Sequence, residues 1–369
     1  MNPFNPSFGR IPELFLDRKP QIQYICQELN NRNSPYHTSL IYGVRGCGKT
    51  VFMTDLGNEM SKEKDWLVST IPVTEHMISD LISVIYMRSP LSIRKALDHM
   101  EGISFSAFGL QVKYKDAKEH MSYQTLLYEV LNILKKKNKK LLILVDEVTN
   151  IPAMREFASL YQLLVRDGYE ISLIMTGLPH QVSELQKNPV LTFLLRSARI
   201  EIDPIDLNTI RYSYETTFLK AGKQLDPQTL LQMTKMTKGY AYAFQLLGYL
   251  IWNQTEGISV ITDDVIRSVI PRYQLELFRN SYTKIFEDLS EKDREFLFAM
   301  AQLGNDFIKM QDINKKLHKS SGYTSVYRRR LLDAQIVRSR SYGTLTFNLP
   351  YFREYIIQTK ELFYDASVY

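Results

Sequence analysis

The sequence predicts an α/β domain with a mostly parallel sheet, followed by a helical region and a C-terminal winged helix-turn-helix. From Thr38 to Ile202, apolar runs of strand type alternate with helical segments, as in a parallel sheet covered by helices. From Asp206 the pattern becomes all-helical, and the last segment reads as three helices and a hairpin that turns at Tyr342 and Gly343. We therefore expect three domains, over residues 1–204, 205–288 and 289–369.

Composition and charge exclude several classes of protein. The chain has 369 residues, of which 44% are hydrophobic and 23% are charged, ordinary values for a protein with buried cores. With Cys26 and Cys47 as the two cysteines, we expect no disulfide framework and a reducing, cytoplasmic setting. The first residues do not have the pattern of a signal peptide, and no apolar run approaches the roughly 18 residues of a membrane span. We therefore expect no membrane association.

The first predicted strand leads into a glycine-rich phosphate loop, Gly43–Thr50. An apolar run, Thr38–Tyr42, is followed by the pattern G-x-x-x-x-G-K-T and then by a helical segment. Glycines let the backbone curl so that N–H groups point inward, and the start of the helix adds its positive end. Lys49 supplies a cation for the β- and γ-phosphates, and the Thr50 hydroxyl can bind Mg²⁺. The pattern predicts an ATP site formed by Gly43, Val44, Arg45, Gly46, Cys47, Gly48, Lys49, Thr50 and Val51.

A second motif lies where a nucleotide site needs it, which disfavours the alternative of a glycine-rich turn with an incidental lysine. The apolar run Leu141–Val145 is followed at once by Asp146 and Glu147, and the carboxyl ends of parallel strands line the ligand crevice. We assign Asp146 to the Mg²⁺ site and Glu147 to activation of the attacking water. Another buried strand ends at Thr176, whose hydroxyl either contacts the γ-phosphate or water, or belongs to a turn-forming Thr-Gly pair.

In this order, the motifs resemble those of an AAA+ P-loop ATPase of the origin-recognition (initiator) type, with a C-terminal winged helix. The resemblance implies an α/β P-loop NTPase fold, with Thr176 at the sensor-1 position. It also implies an arginine finger that reaches a neighbouring subunit of a homo-oligomer, at Arg196 or alternatively at Arg199. The lid departs from this family, because Thr237–Gln245 contains no arginine for sensor 2. That stretch is more similar to the lid of signal-transduction (STAND) ATPases and of the allied archaeal-type ATPases.

The charge of the last segment points to nucleic acid. Residues 309–340 contain nine basic and two acidic residues, a net charge of +7 against +6 for the whole chain. The predicted third helix, Ser325–Ala334, buries Val326, Leu331 and Leu332 and turns basic residues outward, where a winged helix reads the major groove. The alternative is a solvated basic face on a module that only packs against the lid. The candidate contacts to duplex DNA are Lys315, Lys316, Lys319, Arg328, Arg329, Arg338 and Arg340.

Two functions follow from these features. The first is an ATPase that acts as a nucleotide-controlled switch for DNA binding or assembly. The second is a STAND-type signalling or defence NTPase, in which the winged helix packs against a partner and binds no DNA. A P-loop kinase is disfavoured, because nothing in the sequence resembles a site for an acceptor substrate.

Overall fold

The chain divides into two compact units in the computed structural model. The sheet unit comprises Arg18–Tyr42 and Lys49–Glu201, and the lid unit comprises Met1–Asp17, Gly43–Gly48 and Ile202–Tyr369. The phosphate loop up to Gly48 therefore belongs to the lid unit, whereas the helix that follows it belongs to the sheet unit. The structure describes residues 1–7, 14, 18–99, 103–106, 109–112, 122–178, 181–182, 185, 188–304, 306–339, 341 and 343–362.

The sheet unit is built on a five-stranded parallel sheet, which confirms the predicted α/β class. Its strands are β1 (Thr38–Tyr42), β2 (Trp66–Ile71), β5 (Lys140–Val145), β6 (Ile171–Thr176) and β7 (Ala198–Glu201), in the order β2-β5-β6-β1-β7. A separate antiparallel hairpin consists of β3 (Ile103–Ser106) and β4 (Gly109–Val112), as predicted. The helices are α1 (Lys19–Asn30), α2 (Lys49–Met60), α3 (Met77–Arg88), α4 (Leu91–Asp98), α5 (Tyr123–Lys136) and α6 (Pro152–Arg166).

The core of this unit lies on the two central strands, β5 and β6. Every residue of β6 and the run Leu141–Val145 of β5 is buried, because both faces of a parallel sheet are covered by helices. Helix α2 packs closely on the sheet at Gly57, where a Cβ atom would lie 2.8 Å from Cδ1 of Leu144. At the edge, the indole Nε1 of Trp66 donates to Oδ1 of Asn30 at 2.8 Å. The sheet is thus tightly fixed against the helix that follows the phosphate loop.

Two segments of the sheet unit differ in how well the sequence predicts them. The sequence predicts a helix around Leu191–Ser197, and the structure has a 3₁₀ run over Pro189–Arg196 with a non-helical residue at Leu191. Leu191 divides the run into short pieces, the length at which 3₁₀ bonding is usual. The sequence also predicts a helix over Glu75–Met87, which the structure confirms as α3, and a second helix, α4, follows it after Pro90.

Between residues 202 and 290, the lid unit consists mainly of helices, with a two-stranded parallel ribbon. They are α7 (Leu207–Lys220), α8 (Pro227–Met236), α9 (Ala241–Gln254), α10 (Asp263–Leu277), a π-helical turn (Phe278–Tyr282) and α11 (Thr283–Glu287), and the ribbon is β8 (Gln224–Leu225) with β9 (Val260–Ile261). The sequence predicts Asp226 as the cap of α8, and its side chain accepts from the N–H groups of Gln228 and Thr229. The sequence also predicts Asp263 as the cap of α10, but Thr262 occupies the cap position and Asp263 lies in the first turn.

The N-terminal segment is part of the lid core. Phe4 is buried among Tyr214, Phe218 and Phe244, with ring centroids 5.5–5.8 Å apart. Its ring occupies the space over Gly248, where any Cβ atom would overlap it. The same cluster extends to Trp252, whose ring lies 5.6 Å from that of Phe218. The sequence predicts that the N-terminal segment packs through Phe4 and Phe8; Phe4 is buried, and Phe8 lies outside the described residues.

The C-terminal region, Glu291–Lys360, has the predicted order of three helices and a hairpin. Its elements are α12 (Glu291–Gln302), β10 (Ile308–Lys309), α13 (Met310–Leu317), α14 (Ser321–Asp333), β11 (Val337–Ser339), β12 (Thr344–Phe347) and α15 (Phe352–Lys360). Strand β12 pairs antiparallel with both β10 and β11. Strand β10 was not predicted, since two residues give no detectable alternation.

Candidate active site

The backbone of the phosphate loop is shaped by its glycines. Gly46 and Gly48 have φ angles of 78° and 98°, values that an L side chain adopts only with strain. Gly43 has no room for a side chain, because a Cβ atom there would overlap the sulfur of Cys47. The N–H of Cys47 donates to the carbonyl of Val44 at 3.3 Å and closes the turn. This is the curled backbone that a phosphate-binding nest requires.

Helix α2 begins directly after the loop and carries the two side chains predicted to bind Mg·ATP. Lys49 and Thr50 are its first two residues, and Val51 follows them. The Thr50 hydroxyl donates to the carboxylate of Asp146 at 2.8 Å. Residues separated by 96 positions in the sequence are thus in contact within the sheet unit. The structure brings together the hydroxyl and the carboxylate that sequence reasoning had assigned to one metal site.

Asp146 is held from a second side by Thr176 at the end of the neighbouring strand. The fully buried Thr176 donates its hydroxyl proton to Oδ1 of Asp146. The N–H of Glu147 donates to Asp146 Oδ1 and to Thr176 Oγ1, both at 3.1 Å. Glu147 itself has a left-handed φ of 52° and an exposed side chain. The result is a fixed carboxylate with an exposed carboxylate beside it at the carboxyl end of β5.

The donor set fits Mg²⁺ in the form in which it accompanies a nucleotide. Thr50 and Asp146 supply two adjacent oxygen donors, the ligand type that Mg²⁺ prefers. Among the residues that the structure describes, no group of three or more His, Cys, Asp or Glu side chains could hold a metal alone. A bound Mg²⁺ would take its remaining ligands from phosphate oxygens and water, as is usual for this ion.

The two candidate finger arginines have different surroundings. Arg196 is exposed at the last position of the 3₁₀ run. The guanidinium of Arg199 lies 5.4 Å from the centroid of the Tyr42 ring, within cation–π range. Arg199 therefore has a partner in its own chain, and Arg196 remains our prediction for the finger.

The basic side chains of the C-terminal region fall into two groups by exposure. Lys315, Lys316, Lys319 and Arg329 are exposed, whereas Arg328 and Arg338 are half-buried. Arg340 lies outside the described residues. We refer to the exposed four as the basic surface. Arg330, which also contributes to the predicted net charge, pairs with the buried carboxylate of Asp293 at 2.7 Å. It therefore belongs to the packing of the region.

The register of helix α14 differs from the prediction. The helix begins at Ser321, capped by Ser320, so it starts before the predicted Ser325. Its buried positions are Thr324 and Leu331, seven residues apart and hence on one face. Val326, predicted to be buried, is 55% exposed because it lies on the opposite face, and Leu332 is only half-buried. The outward face of α14 is thus more apolar than the sequence suggested.

Two residues near the loop were missed by sequence reasoning. The Tyr240 hydroxyl donates to the carbonyl of Arg45 at 2.6 Å, and the N–H of Tyr242 donates to the carbonyl of Gly46 at 3.1 Å. Both bonds lie within the lid unit. The only signal in the sequence was the absence of an arginine in this stretch, which gives no hint that an aromatic side chain contacts the loop.

Sequence comparison identifies the domain that carries these motifs. Residues 15–167 match the model of an ATPase domain predominantly from Archaea. This part of the chain is therefore similar to an archaeal-type ATPase domain. Residues 279–356 match a second model, a domain of unknown function, DUF8462. No curated protein matches the sequence significantly.

Solved structures share the fold of this ATPase over nearly their whole length. The Walker-type ATPase PABY2304 of Pyrococcus abyssi is 14% identical, with a TM-score of 0.61 over 93% of this chain and 96% of its own. The ORC2 protein of Aeropyrum pernix, solved with ADPNP and ADP, is 16% identical, with a TM-score of 0.57 over 96% and 98%. At such identities the likeness concerns the fold alone. Among the described helices, none is long and apolar enough to cross a membrane.

Proposed function

We propose that the protein is a Mg²⁺-dependent ATPase whose nucleotide state controls binding to duplex DNA or assembly. The observation that carries the ATPase part is the cluster of Thr50, Asp146 and Thr176, in which helix α2 and two strand ends meet within hydrogen-bonding distance. The complexes of the similar ORC2 protein with ADPNP and ADP support an adenine nucleotide as the ligand.

Each of these side chains has a task in binding or hydrolysis. Lys49 and the loop N–H groups offset the charge of the β- and γ-phosphates. Thr50 and Asp146 hold Mg²⁺, which neutralises charge on the phosphates when it is bound. Thr176 fixes the orientation of Asp146 through its hydroxyl. Glu147, exposed beside this cluster, accepts the proton of the attacking water as general base.

The variant Lys49→Ala tests the nucleotide site directly. ATP at a hundred times its dissociation constant should stabilise the wild type by about 2.7 kcal/mol, which a thermal melt detects as a higher Tm. Lys49→Ala should show no such shift, because the loop loses its cation for the phosphates. Equal melting of wild type and variant with Mg·ATP present would refute the phosphate-loop assignment.

DNA binding is supported by the basic surface. Four exposed cations on the C-terminal region can neutralise phosphates along a duplex. The signalling alternative is favoured by a different observation: the C-terminal region is bonded to the rest of the lid unit, since the buried Tyr282 hydroxyl donates to the carbonyl of Pro350 at 2.6 Å. A region held in this way could serve as a packing module only.

One measurement separates the two functions. The mass of the protein in solution is determined with ADP or ATP, each with and without duplex DNA at low salt. A nucleotide-controlled DNA-binding switch gives a protein–DNA species whose amount depends on the nucleotide. A mass that changes with nucleotide and never with DNA would support the signalling alternative instead.

A further inference from the structure

Tyr240 lies where the lid helix α9 starts, and its phenol is 4% exposed. The hydroxyl contacts two oxygens, the Arg45 carbonyl at 2.6 Å and Ser281 Oγ at 2.7 Å. Because a carbonyl can only accept, the phenol proton must go to Arg45, and the Ser281 hydroxyl must then donate to the phenol oxygen. Burial raises the pKa of Tyr240, so the phenol keeps its proton. The hydrogen bonds therefore have one direction, from Ser281 through Tyr240 to the loop.

The hydrogen bond from Tyr240 to Arg45 holds the part of the loop that would face the phosphates. The carbonyl of Arg45 and the N–H of Gly46 belong to one planar peptide unit and point in opposite directions. The carbonyl of Gly46 and the N–H of Cys47 belong to the next unit, which the N–H of Tyr242 holds by its carbonyl at 3.1 Å. A phosphate that attracts the N–H of Gly46 also fixes the carbonyl of Arg45 in the same peptide unit. Nucleotide binding and the bonds from the lid therefore favour the same orientation of the loop.

The Tyr240 phenol is closely packed against the loop at this position. Any Cβ atom on Gly46 would overlap the Tyr240 hydroxyl. The turn before Tyr240 is fixed by Gly239, whose φ is 81° and whose carbonyl accepts from the N–H of Ile205 at 2.8 Å. A side chain on Gly239 would lie 2.6 Å from the Ile205 carbonyl. The contact with the loop is thus built into the turn that precedes α9.

From Ser281 the contacts continue to the C-terminal region. Ser281 lies in the π-helical turn Phe278–Tyr282, a rare local structure that is frequent at functional sites. The next residue, Tyr282, is fully buried and donates to the carbonyl of Pro350 at 2.6 Å. Pro350 lies between the hairpin strand β12, which ends at Phe347, and α15, which begins at Phe352. The π-helical turn thus contacts both Tyr240 and the C-terminal region.

We propose that Tyr240 and Ser281 are positioning residues that transmit occupancy of the phosphate loop to the C-terminal region. When ATP fixes the Arg45–Gly46 peptide, the carbonyl of Arg45 stays in place to accept from the Tyr240 hydroxyl. The phenol oxygen of Tyr240 then stays in place to accept from Ser281, and this bond holds the π-helical turn. Tyr282 then holds the segment around Pro350. The proposal rests on the proposed function for its input, ATP binding, and is independent of whether the C-terminal region binds DNA.

Hydrogen exchange of the full-length protein with and without Mg·ATP tests this coupling. In the wild type, ATP should slow amide exchange about tenfold in residues 278–284 and 347–352, the scale of one added hydrogen bond. Ser281→Ala should bind ATP as tightly as the wild type, since the Tyr240–Arg45 bond remains, and should lose this slowing. Tyr240→Phe should lose the slowing and bind ATP up to about tenfold more weakly, because the loop loses one bond.

Tyr214→Phe is the matched control. It removes another buried phenol hydroxyl of the lid unit, which donates to the carbonyl of Phe244 at 2.8 Å. It should keep both ATP affinity and remote slowing. If Ser281→Ala and Tyr240→Phe retain the slowing of the wild type, the coupling is refuted. The coupling is also refuted if the wild type binds ATP without remote slowing. A wild type that binds no ATP would overturn the proposed nucleotide site together with the coupling.

Discussion

At the scale of single residues, the side chains of the neighbours Asp146 and Glu147 differ: hydrogen bonds hold that of Asp146, and that of Glu147 is exposed. Asp146 accepts from two hydroxyls that belong to different elements, Thr50 of α2 and Thr176 of β6. Glu147 has a left-handed backbone, which costs an ordinary L residue about 1–2 kcal/mol. Its N–H is bonded to both Asp146 and Thr176, which offsets part of that cost. Strain of this kind is maintained at sites where geometry matters for function.

Glu147→Gln and Glu147→Gly should therefore separate catalysis from strain. Both variants should bind Mg·ATP and lose turnover, because neither can accept the proton of water. Glu147→Gly should also be more stable than Glu147→Gln by about 1 kcal/mol, since glycine adopts this φ without a steric penalty. Nucleotide titration, phosphate release and chemical denaturation measure the three quantities. Normal phosphate release in Glu147→Gln would refute the general-base role.

At the scale of elements, helix α14 shows how one ion pair limits the surface available to a ligand. Arg330 faces α12, where the Asp293 side chain is buried and also serves as the capping box of that helix. Arg329 is exposed and has only a loose pair with Asp333 at 3.9 Å. Adjacent arginines in one helix therefore have different tasks, one in packing and one on the basic surface.

Arg330→Met and Arg329→Met should have opposite effects. Arg330→Met should lower the free energy of unfolding by about 1–2 kcal/mol, because a buried carboxylate loses its cation while Arg330 itself is partly solvated. Arg329→Met should leave stability within about 0.5 kcal/mol, as is usual for an exposed side chain. Urea denaturation of the two variants checks this. Equal stability of both would mean that the Asp293 pair contributes nothing to folding.

The basic surface should give DNA binding a strong dependence on salt. If its four cations each neutralise one phosphate, log affinity should fall with log salt at a slope of about −3.6. Changing both Lys315 and Lys316 to glutamate should weaken binding to every duplex sequence and make the slope shallower by about 2, because these contacts carry no base information. ATP binding should not change. Fluorescence anisotropy with two unrelated duplexes makes this measurement, and a salt-independent affinity would contradict it.

How much could be predicted from the sequence depended on whether a feature was local. The loop glycines, the Asp146–Glu147 pair and the buried runs of β5 and β6 follow from short patterns that a parallel sheet imposes. The bond between Thr50 and Asp146 could be expected, because both follow the carboxyl ends of strands. The exposure of Val326 and the contact of Tyr240 with Arg45 could not. Both depend on the register of one element against another, which no periodicity in the chain encodes.

At the scale of the whole molecule, the phosphate loop is divided between two compact units. Gly43–Gly48 belongs to the lid unit, whereas Lys49 and Thr50 belong to the sheet unit. The glycines that shape the nest and the side chains that would bind the phosphates thus have different packing partners.

Assembly should be visible in the rate of hydrolysis if Arg196 reaches a neighbouring molecule. Such arginines increase turnover by roughly 10³–10⁵ in related systems. The specific activity per chain should then rise with protein concentration in the wild type and stay flat in Arg196→Ala. Arg199→Ala is the control, since this arginine already stacks on Tyr42. Activity strictly proportional to protein concentration across the micromolar range would indicate a monomeric enzyme.

The placement of the two tryptophans gives each compact unit its own optical reporter. Trp66 lies on β2 of the sheet unit, and Trp252 lies in the aromatic cluster of the lid unit. Replacing either one with phenylalanine leaves a chain whose tryptophan fluorescence, excited selectively over that of tyrosine, comes from a single unit. Melting curves of the two variants then show whether the units unfold together or in sequence, without any added label. If ATP quenches the fluorescence of Trp252 and not that of Trp66, the lid unit is the one that responds to the nucleotide.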